Sequence, residues 1–290
     1  MKRFAVFILS HGRANEISTV KMLERGNYTG DWYVVIDNED DQEDLYREKF
    51  KDHIIMFDKK KVADKTDTGD LDTDRRVGVF ARNAIQEIAR DMGYEYHLQL
   101  DDDFSGFTFR YPEGKKLASY RVKNLNKLFD IVLRFIEGTP ITSLSFSLSS
   151  DFLGGAEGDK YKQGMHRKSM GTFFLKAKDN IDFIMRMNDD ITTGVFNGMR
   201  GKLFFSLSFV QTDTPQTQQV SGGMTDIYKE NGTYRKSFYS VMVAPSCFKI
   251  ALMGIKNYRI HHKVCWNNAI PKILNERYRK WRTSGELLKQ

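Results

Sequence analysis

The stretch that decides the fold is residues 94–104, Tyr94-Glu-Tyr-His-Leu-Gln-Leu-Asp-Asp-Asp-Phe104. Its aromatic and apolar residues alternate as in a buried β-strand, and the strand ends on three consecutive carboxylates. A protein core tolerates such carboxylates only when they are paired or hold a cation, so Asp101, Asp102 and Asp103 should lie at the carboxyl end of the strand. Ligands bind at that end in open α/β sheets, and adjacent hard oxygen donors suit Mg²⁺ or Mn²⁺. The alternative is a solvated turn, where Asp is common.

Strands and helices alternate over the first hundred residues. Apolar runs typical of buried strands and apolar spacing typical of helices follow one another over residues 4–10, 14–25, 32–36, 53–57, 77–92 and 94–101. This order predicts an α/β fold whose mostly parallel, twisted sheet is flanked by helices. Ser10 to Arg13, Asp37 and Asp101 to Asp103 would then share one edge of the sheet. No Gly-x-Gly-x-x-Gly follows the first strand, which argues against an NAD or FAD site.

Three other segments lack a clear period or mix strand and helix signals. Residues 58–74, crowded with Lys, Asp, Thr and Gly, predict a long mobile loop. Residues 149–169, with several glycines and mixed charge, predict a flexible surface loop. The chain beyond residue 104 predicts a mixed α+β arrangement. We expect one domain with two functional halves.

A second carboxylate pair, Asp189 and Asp190, precedes a predicted helix. Asn and Asp are preferred helix caps, so capping explains them without a site. Only one carboxylate is needed for a cap, and the other remains free to act as a general base or to orient an acceptor.

His261 and His262 are adjacent in a predicted last strand or turn. In a strand they would face opposite sides, so at most one would serve a given site. One imidazole added to the carboxylates would complete a shell for Mn²⁺ or Mg²⁺, and a structural histidine is the alternative. Gly222 and Gly223 form a turn or allow close backbone approach to a phosphate or sugar. Arg82, near the start of a helix, is placed to hold a diphosphate.

Positive charge is concentrated at one end of the chain. The sequence of 290 residues has a net charge of +7, and residues 256–290 contain nine Lys or Arg against two Glu. Residues 272–282 predict a basic helix that also carries Tyr278 and Trp281. Such a surface suits a polyanion, nucleic acid first, although a merely solvated basic helix has the same composition. The two cysteines, Cys247 and Cys265, predict packing roles in a reducing compartment.

Three motifs, in order, resemble the nucleotide-sugar half of GT-A-fold glycosyltransferases. They are Ser10-His-Gly-Arg-Ala14, Val77-Gly-Val-Phe-Ala-Arg-Asn83 and Leu100-Asp-Asp-Asp-Phe104. Four later segments resemble the phage enzymes that glycosylate hydroxymethylated pyrimidines in DNA, namely Asn188-Asp-Asp190, Ser221-Gly-Gly-Met-Thr-Asp-Ile-Tyr228, Tyr234-Arg-Lys-Ser-Phe238 and Tyr258-Arg-Ile-His-His262. The resemblance spans most of the chain and is weakest over residues 111–170.

The resemblance implies a GT-A-like fold in which residues 1–104 bind the nucleotide sugar and residues 105–290 bind the acceptor. It implies transfer from a UDP-sugar, with Mn²⁺ or Mg²⁺, to the hydroxymethyl group of a modified pyrimidine, hydroxymethylcytosine or hydroxymethyluracil, in DNA. Asp190 or Asp189 would face the acceptor. The expected metal ligands are Asp101, Asp103, His261 and His262. The expected nucleotide-sugar residues are Ser10, Arg13, Asp37, Arg82, Asp102, Gly222 and Gly223.

Other functions remain compatible with the same residues. The acceptor could be a glycan, a lipid or a protein, the carboxylates could hold two metals of a phosphohydrolase or nuclease, or the chain could only bind nucleic acid. The longest N-terminal apolar run, residues 4–9, is too short for a signal peptide or a membrane span. We therefore expect a soluble cytoplasmic protein, located in the host cytoplasm if a phage encodes it.

Overall fold

The structure, a computed structural model, describes residues 2–215, 235–254 and 258–278. The strands are β1 (Lys2–Leu9), β2 (Asp31–Asp37), β3 (Ile54–Phe57), β4 (Tyr94–Asp101), β5 (Gly106–Glu113), β6 (Lys116–Arg121), β7 (Ile141–Ser147), β8 (Met165–His166), β9 (Thr172–Lys176), β10 (Leu203–Asp213), β11 (Phe248–Met253) and β12 (Arg259–Val264). The helices are α1 (Ser18–Arg25), α2 (Glu43–Phe50), α3 (Lys59–Ala63), α4 (Val79–Asp91), α5 (Leu125–Glu137), α6 (Asp159–Lys162), α7 (Asp189–Gly198), α8 (residues 235–243) and α9 (Trp266–Ala269).

One large sheet organises the chain. Its strand order is β3-β2-β1-β4-β9-β7-β10-β5-β6, with β8 paired to β10, and β11 and β12 form a separate antiparallel pair. The first four strands in this order are parallel. Beyond β4 the sheet is mixed, because β9 is antiparallel to both of its neighbours and β5 and β6 are antiparallel. The predicted α/β class is confirmed, with a parallel first half and a mixed second half.

The register brings the strand ends of the first half to a common edge. In β1, Leu9 pairs with Val35 of β2 and with Asp101 of β4. Because parallel strands in register end together, the turn that begins at Ser10, the end of β2 at Asp37 and the Asp triplet lie at the same edge of the sheet. The shared edge predicted from the sequence is therefore present.

Both faces of β1 are buried, as its continuous apolar run predicts. Val6 and Ile8 belong to the hydrophobic cluster that includes residues of α1 and α5, whereas Ala5 and Phe7 belong to the cluster that includes residues of α4. The sheet is thus covered by helices on both sides, and its carboxyl edge is left open for a site.

The predicted mobile loop at residues 58–74 is wrong in two respects. It begins with α3, whose N-cap Asp58 accepts a hydrogen bond from the Lys61 amide. Its second part is fixed by Arg186, which is buried and pairs with Asp70 at 2.9 Å. The Met185 amide also donates to the Asp67 carbonyl at 2.8 Å. The periodic spacing of apolar residues in the sequence does not reveal these contacts, since their partners lie more than a hundred residues away.

Two other sequence predictions need correction. Residues 149–169 include short helical turns, α6 and the buried side chains of Asp151 and Phe152, so the segment is packed rather than a purely surface loop. The predicted basic helix at 272–282 is wrong over residues 272–275, which are not helical; Glu276–Tyr278 forms a 3-10 turn, and residues 279–282 lie outside the described residues.

Both cysteines are free, and Cys247 is packed in a core cluster. Among the helices described, none is long and apolar enough to cross a bilayer.

Candidate active site

A cleft of about 1080 Å³ opens at the carboxyl edge of the sheet. Every predicted site residue that the structure describes lines it: Ser10, Arg13, Asp37, Arg82, Asp101, Asp102, Asp103, Asp189, Asp190, His261 and His262. Gly222 and Gly223 lie outside the described residues. The fold therefore brings together side chains from both halves of the sequence.

The start of α1 fixes the Asp triplet. The Thr19 hydroxyl donates to the Asp101 carbonyl at 2.7 Å and accepts from the Phe104 amide at 3.0 Å, and the Thr19 amide donates to the Asp102 carbonyl at 3.1 Å. Because the buried Thr19 satisfies the backbone of the turn, the carboxylates need not do so. Their side chains are free to point in different directions.

The middle carboxylate, Asp102, binds the turn after β1. It accepts hydrogen bonds from the Ser10 hydroxyl at 2.6 Å and from Arg13 Nη1 at 3.0 Å. Burial raises the pKa of the Asp102 carboxyl, and the bonds to Ser10 and Arg13 oppose that rise. Three of the residues predicted to bind the nucleotide sugar are thus joined through the Asp102 carboxylate on the wall of the cleft.

Arg82 connects the two carboxylate groups. Its Nη2 donates to Asp101 Oδ1 and its Nε to Asp189 Oδ2, both at 2.9 Å. The guanidinium is buried and lies over the Phe173 ring, with 4.9 Å from Cζ to the ring centroid. Its third nitrogen, Nη1, is buried without a hydrogen-bond partner in the described structure. Arg82 was predicted to hold a diphosphate, whereas its described contacts hold the first Asp of the triplet against α7.

Asp103 differs from its two neighbours. Burial, together with the negative charges of Asp101 and Asp102, raises the pKa of the Asp103 carboxyl to about 7. Asp101 uses one carboxylate oxygen for Arg82, and its side chain is 39% exposed to the cleft. Two oxygen-donor side chains therefore face the cleft from one turn, and no cysteine is among the described residues that line it. This donor set suits a hard divalent cation such as Mg²⁺ or Mn²⁺.

The carboxylates predicted to face the acceptor, Asp189 and Asp190, begin α7. Asn188 precedes them in a left-handed conformation, φ 58°, and its side chain donates to the Lys236 carbonyl at 2.8 Å instead of capping the helix. Asp190 accepts from the Ile191 amide at 2.6 Å. Burial raises the pKa of both Asp189 and Asp190, while Arg82 lowers it. Neither Asp caps the helix, because both are its first residues and the N-cap is Asn188; Asp190 instead accepts from the amide of its neighbour and lines the cleft.

Asp37, at the end of β2, belongs to a buried charge cluster. It accepts from His11 Nδ1 at 2.9 Å and pairs with Lys59 Nζ at 3.2 Å, and the Lys59 and Asp37 side chains are each 6% exposed. The hydrogen bond from His11 and the charge of Lys59 lower the pKa of Asp37 against the effect of burial. Asp37 raises the pKa of His11 in turn. These cations line the cleft beside the predicted nucleotide residue.

His261 and His262 of β12 were expected to face opposite sides of the strand, but both lie at the cleft. Both rings line the cleft, with their centroids 4.5 Å apart. They lie on the same wall as α7, since His262 Nδ1 is 3.4 Å from Asn188 Nδ2. The described residues nevertheless contain no group of three or more His, Cys, Asp or Glu side chains arranged to hold a metal. Among the described side chains, the four predicted metal ligands share one cleft without converging on one point.

Several cleft residues were not predicted as site residues from the sequence. They are His11, Lys59, Lys168, Lys236 and Trp266. His11 lies inside the Ser10–Arg13 turn and was the one that this motif could have indicated. Lys236 lies inside the Tyr234–Phe238 motif, whereas Lys59 and Lys168 come from segments predicted as loops, so only the fold places those two lysines at the site.

The sequence also matches a family model. The model is described as TET-Associated Glycosyltransferase, and the match covers residues 4–223. The chain belongs to this family. It is a glycosyltransferase with an α/β fold, as the motifs predicted. In this glycosyltransferase, the matched residues include the Asp triplet, Arg82 and the Asp189–Asp190 pair. A comparison with curated proteins finds no match.

Solved structures with some likeness to this glycosyltransferase include glucosyl-3-phosphoglycerate synthase from Mycobacterium tuberculosis in complex with Mg²⁺ and UDP. Its TM-score is 0.49 at 7% identity, over 91% of this chain and 88% of that chain. The same synthase with Mn²⁺ and UDP-glucose gives a TM-score of 0.45 at 7% identity, over 91% and 87%. CMP:2-keto-3-deoxy-manno-octonic acid synthetase complexed with CTP gives 0.39 at 11% identity, over 79% and 97%.

Proposed function

We propose that this glycosyltransferase moves a sugar from a UDP-sugar to the hydroxymethyl group of a modified pyrimidine in DNA, with Mg²⁺ or Mn²⁺. The observation that carries the proposal is the bridge through Arg82, which joins Asp101 of the triplet to Asp189 of α7 in one cleft. A transferase needs a place for the leaving diphosphate and a place for the acceptor hydroxyl within reach of each other. The bridge fixes those two places relative to one another.

Asp101 and Asp103 would hold the divalent ion. Both carboxylates face the cleft from a turn that Thr19 has already fixed. When bound, the ion would offset the negative charge that develops on the leaving diphosphate. Lys59 and His11 line the same side of the cleft, where Asp37 at the end of β2 pairs with both.

Asp190, with Asp189 as the alternative, would orient or deprotonate the acceptor hydroxyl. Asp189 is engaged by Arg82, whereas Asp190 bonds only the adjacent amide of its own helix among the contacts described. One oxygen of Asp190 therefore remains available to a hydroxyl in the cleft. The cleft, at about 1080 Å³, is at the upper end of the roughly 300–1,000 Å³ typical of small-molecule sites, which leaves space for a donor and for an extrahelical base.

The DNA acceptor rests on the family and on the motif resemblance. A 5-substituent of a stacked pyrimidine lies in the major groove, and a base turned out of the stack would bring it into a cleft. The alternative acceptors are a glycan, a lipid or a protein.

The test is incubation with labelled UDP-sugars and duplexes that contain hydroxymethylcytosine, hydroxymethyluracil or unmodified pyrimidines, with Mn²⁺ or with EDTA. A mass increase of one sugar on the modified duplex alone is expected. Sugar transfer to none of the duplexes would contradict the DNA acceptor, and metal-dependent strand cleavage would indicate a nuclease instead.

A further inference from the structure

The hairpin formed by β5 and β6 carries a basic and aromatic surface. Its exposed basic and aromatic residues, together with the exposed Lys123 just after β6, are called the hairpin surface: Tyr111, Lys115, Lys116, Tyr120, Arg121 and Lys123. The tyrosines are large exposed side chains, at 47% and 54%. One acidic residue, Glu113, lies among them and accepts a hydrogen bond from the Tyr120 hydroxyl at 3.0 Å. The hairpin surface therefore has a clear excess of positive charge.

The tyrosines are held in place by the core. Phe109 packs partly against the main hydrophobic cluster, and its ring centroid is 6.0 Å from that of Tyr111. Tyr111 is in turn 6.1 Å from Tyr120 across the hairpin. The rings of Phe109, Tyr111 and Tyr120 thus form a continuous row of contacts from the core to the surface. Fixed aromatic side chains with polar tips are suited to contact a partner at low entropic cost.

The hairpin surface begins at the cleft. Ser105 and Gly106 follow the Asp triplet, and Gly106 pairs with Asp213 next to the cleft residues Thr212 and Thr214. Arg121 donates to the Ser105 carbonyl. The eight residues of β5 rise about 3.4 Å each, so the strand spans roughly 25 Å from the cleft to the tip. A duplex advances about 3.4 Å per phosphate of one strand, so this length matches about seven phosphates.

A second group of cations connects the hairpin to the cleft mouth. Ala156 donates to the Lys115 carbonyl at 3.1 Å, and the Tyr161 hydroxyl to the Arg110 carbonyl at 3.2 Å. Nearby, Lys160 and Lys168 both pair with the buried Asp151, and Lys168 lines the cleft. Lys160 and Lys168 therefore lie between the hairpin and the cleft, where they outnumber the Asp151 carboxylate that they share.

We propose that the hairpin surface binds the phosphate backbone of duplex DNA and guides the modified base to the cleft. This inference rests on the proposed function and names the surface that its acceptor uses. Charge selects the partner, because four exposed Lys and Arg side chains against one Glu can neutralise a phosphate backbone without reading sequence. β6 is also the last strand of the sheet order, and edge cations oppose pairing with another copy of the chain.

The experiment compares two double variants in DNA binding over a salt series. Lys115→Gln/Lys116→Gln removes two charges from the hairpin surface. Lys51→Gln/Lys178→Gln removes two exposed charges away from the hairpin, one just before β3 at the other edge of the sheet and one just after β9 in its middle. Fluorescence anisotropy with a duplex containing a hydroxymethylpyrimidine should show a log–log salt slope flatter by about 0.9 for each lost phosphate contact in the hairpin variant only.

Circular dichroism and thermal melting check that each variant folds. A charge reversal, Lys115→Glu/Lys116→Glu, should weaken binding further. An unchanged salt slope in both hairpin variants would overturn the inference, and so would a dimer in light scattering that these variants dissociate while DNA binding stays the same. The proposed function is tested by a different measurement, sugar transfer to the duplex by the wild-type protein. The result of that assay does not depend on the salt slopes of the variants, so failure of the function and failure of this inference can be distinguished.

Discussion

Arg82 and Asp189 form a buried ion pair, with 2.9 Å from Nε to Oδ2, between residues 107 positions apart in the sequence. The same guanidinium holds Asp101 at 2.9 Å, so one cation balances a carboxylate from each half of the chain. Taking a lone charge out of water is costly, and each of these three groups depends on the others. The pair therefore has consequences for both stability and catalysis.

Replacing Arg82 with Met should destabilise the protein and abolish transfer. The substitution keeps volume near Phe173 but leaves Asp101 and Asp189 without their shared cation, and breaking a buried pair in this way costs about 3–5 kcal/mol. Urea unfolding would measure the free energy of unfolding. The control is Arg134→Met, whose exposed i,i+4 pair with Asp130 should contribute well under about 1 kcal/mol. Equal effects of the two substitutions would refute the bridging role.

Asp103→Asn should abolish sugar transfer and leave the fold intact. The change keeps the shape of the side chain and removes one of three adjacent negative charges, so the melting temperature without metal should stay the same or rise. Turnover with Mn²⁺ and thermal melting with UDP, with and without the metal, are the measurements. Asp91→Asn, at an exposed position of α4, is the control. If the wild-type protein kept its turnover rate in EDTA, transfer would not require a metal, and the proposed metal site would be contradicted.

Asp190→Asn should slow transfer while UDP affinity is retained. Asp190 begins α7, on the opposite side of the bridge from the Asp triplet, and loss of a general base typically costs 10²–10⁴-fold in rate. Calorimetric titration with UDP and Mn²⁺ would give the affinity, and a single-turnover assay would give the rate. The same pair of measurements on Asp189→Asn would decide which carboxylate acts. A variant that loses UDP binding but transfers normally would place Asp190 on the donor side.

The His11 contact predicts a pH dependence of stability. Asp37 and Asp40 raise the pKa of His11 above its ordinary value of 6.5, and Lys59 opposes them. The protonated ring therefore stabilises the folded state fully below about pH 6.5, and this contribution is lost as the pH rises through the raised pKa. The pKa of Asp37 is lowered instead, so its own contribution disappears only in acid, outside this window.

His11→Gln tests this dependence. The difference in free energy of unfolding between the wild type and the variant should be largest near pH 5.5 and shrink towards pH 8.5. Urea unfolding across that range gives the difference. His53→Gln serves as the control, because His53 stacks on Trp32 and contacts no carboxylate of this cluster among the described contacts. A difference that is flat with pH would show that His11 stays neutral.

The first half of the fold could be read from sequence because its signals are local. An apolar run followed by carboxylates, repeated at Asp37 and Asp101, identifies strand ends, and parallel register then places those ends together. The antiparallel insertion of β9 between β4 and β7 has no such signal, since it depends on pairing between strands distant in sequence. The mixed second half was predicted as a class, but its strand order was not.

The sequence by itself determined the Asp triplet at a strand end, the two carboxylate groups and the family motifs, because each is written in consecutive residues. The tertiary structure decided which hydrogen bonds and ion pairs those groups form. It turned Asp102 onto Ser10 and Arg13, placed Arg82 between Asp101 and Asp189, and put both histidines on one wall of the cleft. These contacts depend on which face of each element is buried and on the balance of charge inside the cleft. Both are properties of the packed chain, and no run of neighbouring residues encodes them.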